Sequence, residues 1–139
     1  MDMNKLSGEV VDAAIQVHKA LGPGLLESTY ERCLQQELLL RDIKVERQVI
    51  CPIEYRGLKL DEGYRLDLVV EDSIIVELKA VEVLNEVHTA QLLTYLKLTN
   101  IELGLLINFN VTLLKDGLRR LTTAKPNPKP SVHSVHSVV

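Results

Sequence analysis

The feature that most constrains this chain is the segment 64–80, in which apolar residues alternate on both sides of a polar turn. The turn is Glu71-Asp72-Ser73, and the alternation on its two flanks predicts a β-hairpin. Side chains two residues apart in a strand point to the same face. One face of the hairpin is therefore predicted to be a core face, made of Leu66, Leu68, Val70, Ile74, Val76 and Leu78.

The opposite face of this hairpin carries two acids and one amine. A turn formed by Glu71-Asp72-Ser73 places Asp67 directly across from Glu77, with Cβ atoms roughly 5 Å apart. Lys79 lies two residues beyond Glu77 and shares its face. Facing carboxylates repel each other, and a divalent cation would remove the repulsion, because Mg²⁺ prefers oxygen ligands. Two interpretations stay open at this point: a metal site, or a salt bridge from Lys79 to both acids on a solvated face.

Length and composition favour one domain with an aliphatic core. The chain has 139 residues, 46% hydrophobic content and a net charge of −3, which is not the basic balance of a dedicated nucleic-acid binder. The basic stretch 115–129 is either a phosphate-contacting surface or a solvated one. No apolar run is long enough to span a bilayer, and the N-terminus lacks a signal-peptide pattern. Two cysteines without metal-ligand spacing favour reduced thiols and a cytoplasmic location.

The remaining patterns predict the order of helices and strands. Helical spacing occurs in three segments: 5–20, about 25–41 and 86–99. Strand patterns occur in four more: 43–55, where Pro52 indicates a bulge or an edge position, 58–70, with an interruption near residues 61–63, 74–79 and 103–109. A short closing strand is expected within 111–122. Ser28 and Glu31 match a capping box in the second helix, and Asn85 is the expected N-cap of the third. We predict a single α/β domain over residues 1–124, followed by a disordered tail over 125–139.

The expected sheet is mixed, with a three-stranded meander, a βαβ crossover and helices on its faces. The third helix is nearly apolar on most sides, and we expect it to be well buried. Tyr64 is expected in the core, because it alternates with the acids.

Five sequence blocks, in order, resemble those of a known family. They are Gly24–Tyr30, which fits Gly-x-x-Glu-x-x-Tyr, then Tyr64–Asp67, Val76–Ala80, Gln91–Leu96 and Gly104–Phe109. The chain resembles the GxxExxY proteins over about residues 5 to 122, and this family is similar to the PD-(D/E)XK nuclease superfamily. The resemblance implies a restriction-endonuclease-like core, whose element order agrees with the order predicted from the patterns.

The resemblance also implies a site and a reaction. It implies metal-dependent hydrolysis of phosphodiester bonds in nucleic acid, with Mg²⁺ or Mn²⁺ held by Asp67 and Glu77 and by the carbonyl of Leu78. Lys79, Glu27 and Gln91 complete the implied catalytic set. Leu66 stands where the superfamily pattern has proline, a change that removes no ligand.

Three further residues are expected to contact substrate. Tyr30 lies one helical turn after Glu27, Tyr95 lies one turn after Gln91, and Arg65 shares a strand face with Asp67. The expected partner is DNA or RNA, and no membrane is expected to be involved. A small nuclease core needs either a homodimer or a partner protein to hold a duplex, and both stay open. The alternative function is a non-catalytic module that retains the fold and binds nucleic acid or a protein.

Overall fold

The computed structural model describes residues 2–61 and 63–123. Its helices are α1 (Met3–Leu21), α2 (Glu27–Leu40) and α3 (Glu86–Thr99). Its strands are β1 (Val45–Ile50), β2 (Ile53–Tyr55), β3 (Leu58–Leu60), β4 (Arg65–Val70), β5 (Ile74–Lys79), β6 (Leu103–Asn108) and β7 (Leu118–Thr122). A short 3-10 helix, Leu114–Gly117, precedes β7. The predicted tail, residues 125–139, lies outside the described residues.

The main sheet has five strands in the order β1-β4-β5-β6-β7. β5 and β6 run parallel and are joined through α3, while the other neighbouring strands are antiparallel. The predicted meander is therefore β1-β4-β5, and the predicted βαβ unit is β5-α3-β6. The expected mixed α/β sheet flanked by helices is confirmed, including the closing strand β7.

The predicted strand over 43–55 is wrong in its length, because it is broken after Ile50. Pro52 has no N–H to give to a sheet, and β2 and β3 form a separate two-stranded hairpin beyond it. The hairpin leaves the main sheet and returns to it at adjacent points, since Cys51 N donates to Tyr64 O at 2.9 Å. The hydrogen bonding between β1 and β4 therefore extends up to the point where the β2–β3 hairpin is inserted.

The sheet is covered on both faces. α1 and α2 pack on one face, over a cluster that includes Leu68, Val70, Ile74, Val76 and Leu105. α3 packs on the other face through Leu92, Tyr95 and Leu96, over Val69, Ile75 and Leu106. The predicted deep burial of α3 is only partly correct, because Val87 is 72% exposed. Among the described residues, no helix is long and apolar enough to cross a membrane.

The two predicted helix caps have different outcomes. Asn85 caps α3 as expected, and the Nδ1 atom of His88 completes the capping box by accepting from Asn85 N at 3.2 Å. The capping box predicted for α2 is wrong. α2 begins at Glu27 after Leu26, and the Glu31 side chain turns into the protein instead of back to the helix end.

Candidate metal centre

The two acids of the hairpin lie where the pairing of β4 and β5 ends. The predicted register is confirmed by the pairs Leu68↔Val76, Val69↔Ile75 and Val70↔Ile74. At the next position, Asp67 N donates to Glu77 Oε2 at 2.8 Å, and Leu78 N donates to Asp67 Oδ2 at 2.9 Å. Each carboxylate therefore accepts a hydrogen bond from the backbone of the other strand, and the two acids lie together as expected.

The pairing of β4 with β1 also changes at Asp67. Arg47 pairs with Leu68 and Val49 pairs with Leu66, but Gln48 and Asp67, which lie between these pairs, are not paired with each other. Gln48 has a φ of 56°, a left-handed conformation that is uncommon for a residue other than glycine.

The side chains of both strands change faces across this step. The pair Val45↔Val70 packs under α1 and α2, whereas the pair Val49↔Leu66 packs on the α3 side. The prediction that Leu66 shares the core face of the hairpin is therefore wrong, because the strict alternation is interrupted at Asp67. Tyr64, predicted to be in the core, is exposed.

Burial makes ionisation of both acids costly. Glu77 is 4% exposed and Asp67 is half-buried. Burial raises the pKa of Asp67 to about 6, and the charge of Glu31 adds to the rise. Burial and the nearby charge of Asp67 raise the pKa of Glu77 to about 8. The Lys79 charge lowers the pKa of both acids, but no ion pair among the described residues joins Lys79 to either of them.

Glu27 reaches the end of β5 from the first position of α2. Its Oε2 atom accepts from Ala80 N at 3.4 Å, one residue beyond Lys79. The charge of Glu27 also contributes to the raised pKa of Asp67. Helix α2 therefore brings the Glu27 carboxylate to the end of β5, and its role in the site stays a prediction.

α3 brings Tyr95 close to the acids. Tyr95 is buried, and burial together with the charge of Glu77 raises its pKa to about 12. Gln91 lies one helical turn before Tyr95 on the same side of α3 and is exposed. Among the hydrogen bonds of the described residues, none joins Gln91 to Asp67 or Glu77. Arg65 is exposed at the start of β4.

Tyr30 occupies a core position. Its ring stacks on that of Phe109, with ring centroids 4.5 Å apart. Its hydroxyl donates to Gly22 O at 2.6 Å and accepts from Leu25 N at 3.0 Å. Tyr30 is completely buried, which does not agree with the expected contact to substrate. Its side chain instead fixes the loop that leads into α2.

Three residues beside the acids were missed by the sequence patterns. Glu31 is 5% exposed and accepts from Arg47 Nη1 at 2.8 Å and from Gln48 Nε2 at 2.7 Å. Gln48 Nε2 also lies 3.5 Å from Asp67 Oδ1. The available signal was the spacing of Glu31, four residues after Glu27 and hence on the same side of α2. The apparent capping box concealed it.

The donor chemistry fits a divalent cation. A buried pair of like charges is penalised when both are ionised, and a cation between them would remove that penalty. Glu77 Oε2 and Asp67 Oδ2 accept from backbone N–H groups, so Glu77 Oε1 and Asp67 Oδ1, which lies 3.5 Å from Gln48 Nε2, are the oxygens that could bind a cation. In residues 2–61 and 63–123, no three His, Cys, Asp or Glu side chains form a metal-binding group. The side-chain ligands would thus be two carboxylates, which suits Mg²⁺ because this ion keeps several waters.

Comparison with known proteins gives one match. Residues 4–121 match the family model described as the PD-(D/E)XK nuclease superfamily. The match includes every described helix and strand except Met3 at the start of α1 and Thr122 at the end of β7. No curated protein and no solved structure matches the chain.

Proposed function

This chain belongs to the PD-(D/E)XK nuclease superfamily, and we propose that it hydrolyses phosphodiester bonds of nucleic acid with Mg²⁺ or Mn²⁺ at Asp67 and Glu77. The observation that supports this proposal best is the buried acid pair, built from two neighbouring strands and held by reciprocal hydrogen bonds to their backbones. Ionising both acids at this place is unfavourable, and a bound cation would offset that cost.

Each residue of the site has a proposed role. Asp67 and Glu77 would bind the ion, with the carbonyl of Leu78 as a third protein ligand. A bound divalent ion supplies Lewis-acid polarisation of a phosphate and lowers the pKa of a water. The Lys79 amine would stabilise negative charge that develops on the phosphate or position the attacking water. Glu27, at the end of β5, would orient water or backbone beside Lys79.

The proposed substrate contacts are Gln91, Arg65 and Tyr95. Gln91 and Arg65 are exposed and would contact the nucleic acid, while the Tyr95 hydroxyl, with its raised pKa, would act as a neutral donor. The net charge of −3 limits long-range attraction to DNA or RNA. A homodimer, which would enlarge the contact with a duplex, stays a prediction.

Cleavage by the purified chain tests the proposal. The protein is incubated with single- and double-stranded DNA and RNA in Mg²⁺ or Mn²⁺, and Lys79→Met and Asp67→Asn are expected to abolish cleavage. Lys59→Met, at an exposed position on β3, is the matched control and should cleave like the unchanged chain. Cleavage that survives both site substitutions would contradict the proposal.

The second candidate function is a non-catalytic module that binds nucleic acid or a protein. The observation that favours it is that burial raises the pKa of both acids, so ionising the whole pair is unfavourable without a metal. The bonds from Asp67 N and Leu78 N to these carboxylates would join the two strands whether or not a metal binds. Metal binding without cleavage of any of the four substrates would favour the module.

A further inference from the structure

Gln48 lies in β1 at the one step where the strand leaves its regular pairing with β4. Its φ of 56° costs free energy for a residue with a side chain, and such conformations persist only where the surroundings enforce them. The neighbouring pairs Arg47↔Leu68 and Val49↔Leu66 hold the backbone on both sides. The pairs on either side therefore enforce the left-handed conformation of Gln48, and the contacts of its side chain indicate what this conformation is for.

The side-chain amide of Gln48 lies between two carboxylates. Its Nε2 atom is 2.7 Å from Glu31 Oε1 and 3.5 Å from Asp67 Oδ1. Glu31 is 5% exposed, and its other oxygen accepts from Arg47 Nη1 at 2.8 Å. Both oxygens of Glu31 therefore have donors from β1, and the Gln48 amide is anchored on α2 rather than free to turn.

Each oxygen of the Asp67 carboxylate therefore has a nitrogen atom beside it. Leu78 N holds its Oδ2 atom at 2.9 Å, and the anchored amide of Gln48 faces its Oδ1 atom. A carboxylate that binds a metal needs partners that fix its orientation, and such partners contribute to metal affinity. The amide nitrogen cannot itself bind a cation, so its contribution would be to direct the carboxylate.

We propose that Gln48, anchored by Glu31, is a positioning residue that orients the Asp67 carboxylate for binding a divalent cation. This inference rests on the proposed metal site at Asp67 and Glu77. It does not require that the chain cleaves nucleic acid. It assigns to α2 a role in the site through Glu31, separate from that of Glu27.

A merely structural role is the competing explanation, because Glu31 and Gln48 also join α2 to β1. The two explanations differ in what Gln48→Gly should change. Glycine adopts a φ of 56° without strain and removes the amide. A positioning role predicts weaker metal binding in a folded protein, whereas a structural role predicts a lower Tm with unchanged metal binding.

The experiment is a Mn²⁺ titration of the full chain, read by calorimetry, together with thermal unfolding in the absence of metal. Gln48→Gly is expected to stay folded with a lower Tm, because the buried Glu31 loses a donor, and to raise the Kd for Mn²⁺ about tenfold or more when measured below the unfolding transition. Gln48→Met keeps the length of the side chain without its amide and should show the same loss of affinity. Gln36→Met, on the exposed side of α2, is the matched control and should bind Mn²⁺ like the unchanged chain.

Each outcome decides one of the proposals. Unchanged Mn²⁺ affinity in Gln48→Gly, or in Gln48→Met if the glycine variant does not fold, overturns the positioning role. If the unchanged chain binds Mn²⁺ and the Gln48 variants bind it weakly, the positioning role is supported even when no substrate is cleaved. In that case the proposed nuclease activity alone fails. Absence of Mn²⁺ binding by the unchanged chain overturns both.

Discussion

Asp67 and Glu77 each accept a hydrogen bond from the backbone of the other residue's strand. Asp67 N donates to Glu77 Oε2 at 2.8 Å, and Leu78 N donates to Asp67 Oδ2 at 2.9 Å. The two acids therefore belong to the hydrogen bonding of the sheet as well as to the proposed metal site. Amide substitutions, which keep an oxygen acceptor, separate the two roles better than alanine does.

Glu77→Gln is expected to stabilise the metal-free protein while removing its response to metal. At about pH 8.5 Glu77 carries a charge that burial and Asp67 make unfavourable, and glutamine removes the charge. A pKa raised by more than one unit corresponds to about 1 kcal/mol or more of unfolding free energy. Urea unfolding with and without Mn²⁺ measures both effects. A variant that is less stable and still stabilised by Mn²⁺ would refute the assignment of Glu77.

The pH dependence of the unchanged chain should have a defined sign. Both acids have a raised pKa, so in the folded state they hold protons that the unfolded chain releases near pH 4. Their stabilising contribution is complete below the unfolded pKa values and is lost as the pH rises through about 6 and about 8. Metal binding needs the ionised acids and should strengthen over the same range. The increase in Tm caused by Mn²⁺ should therefore be larger at about pH 8.5 than at about pH 5.5.

Tyr30→Phe should lower stability without affecting metal binding. Phenylalanine keeps the stacking on Phe109 but removes the partly buried hydrogen bonds of the hydroxyl to Gly22 O and Leu25 N. Loss of such hydrogen bonds costs about 1–3 kcal/mol. Chemical denaturation measures this cost, and a Mn²⁺ titration below the unfolding transition should match that of the unchanged chain. A large loss of Mn²⁺ affinity in the folded variant would return Tyr30 to the site.

Gly117→Ala is expected to destabilise the end of the sheet. A Cβ atom at this position would collide with the backbone oxygen of Asn108. A backbone atom cannot move away as easily as the end of a side chain. Asn108 is buried, and its side chain bonds the N–H and the carbonyl of Val81. We expect a loss of about 2 kcal/mol or more in unfolding free energy.

Gly8→Ala is the matched control for that change. It lies within α1, and an added Cβ would meet nothing within 4 Å. Alanine is favoured over glycine inside a helix by about 1 kcal/mol, so this variant should be equally stable or more stable. Equal losses of stability in the two variants would contradict the steric explanation for Gly117.

The main elements could be predicted because their signals are local. The alternation around Glu71-Asp72-Ser73 specified the hairpin and its register, and the apolar run of β6 indicated an interior strand. Asn85 was recognisable as a cap from its position before the third helix. These elements needed no knowledge of distant contacts.

The surroundings of the acid pair could not be predicted in the same way. The left-handed conformation of Gln48 depends on the pairing of β1 with β4 and on the contact with Glu31 of α2. The alternation of apolar and polar residues in the sequence contains no sign of it. Strict alternation consequently placed Leu66 and Tyr64 on the wrong sides. Tyr30 lies one helical turn after Glu27, but this spacing alone could not distinguish a core residue from a residue that contacts substrate.

The insertion of β2 and β3 has a consequence for how this chain could be engineered. The chain leaves the main sheet at Cys51 and re-enters it at Tyr64, and the two residues are already joined by a hydrogen bond of 2.9 Å. The length of the excursion is therefore uncoupled from the spacing of β1 and β4. A different loop placed between these two residues would keep the same attachment points, so its length and sequence could be changed without altering β1 and β4.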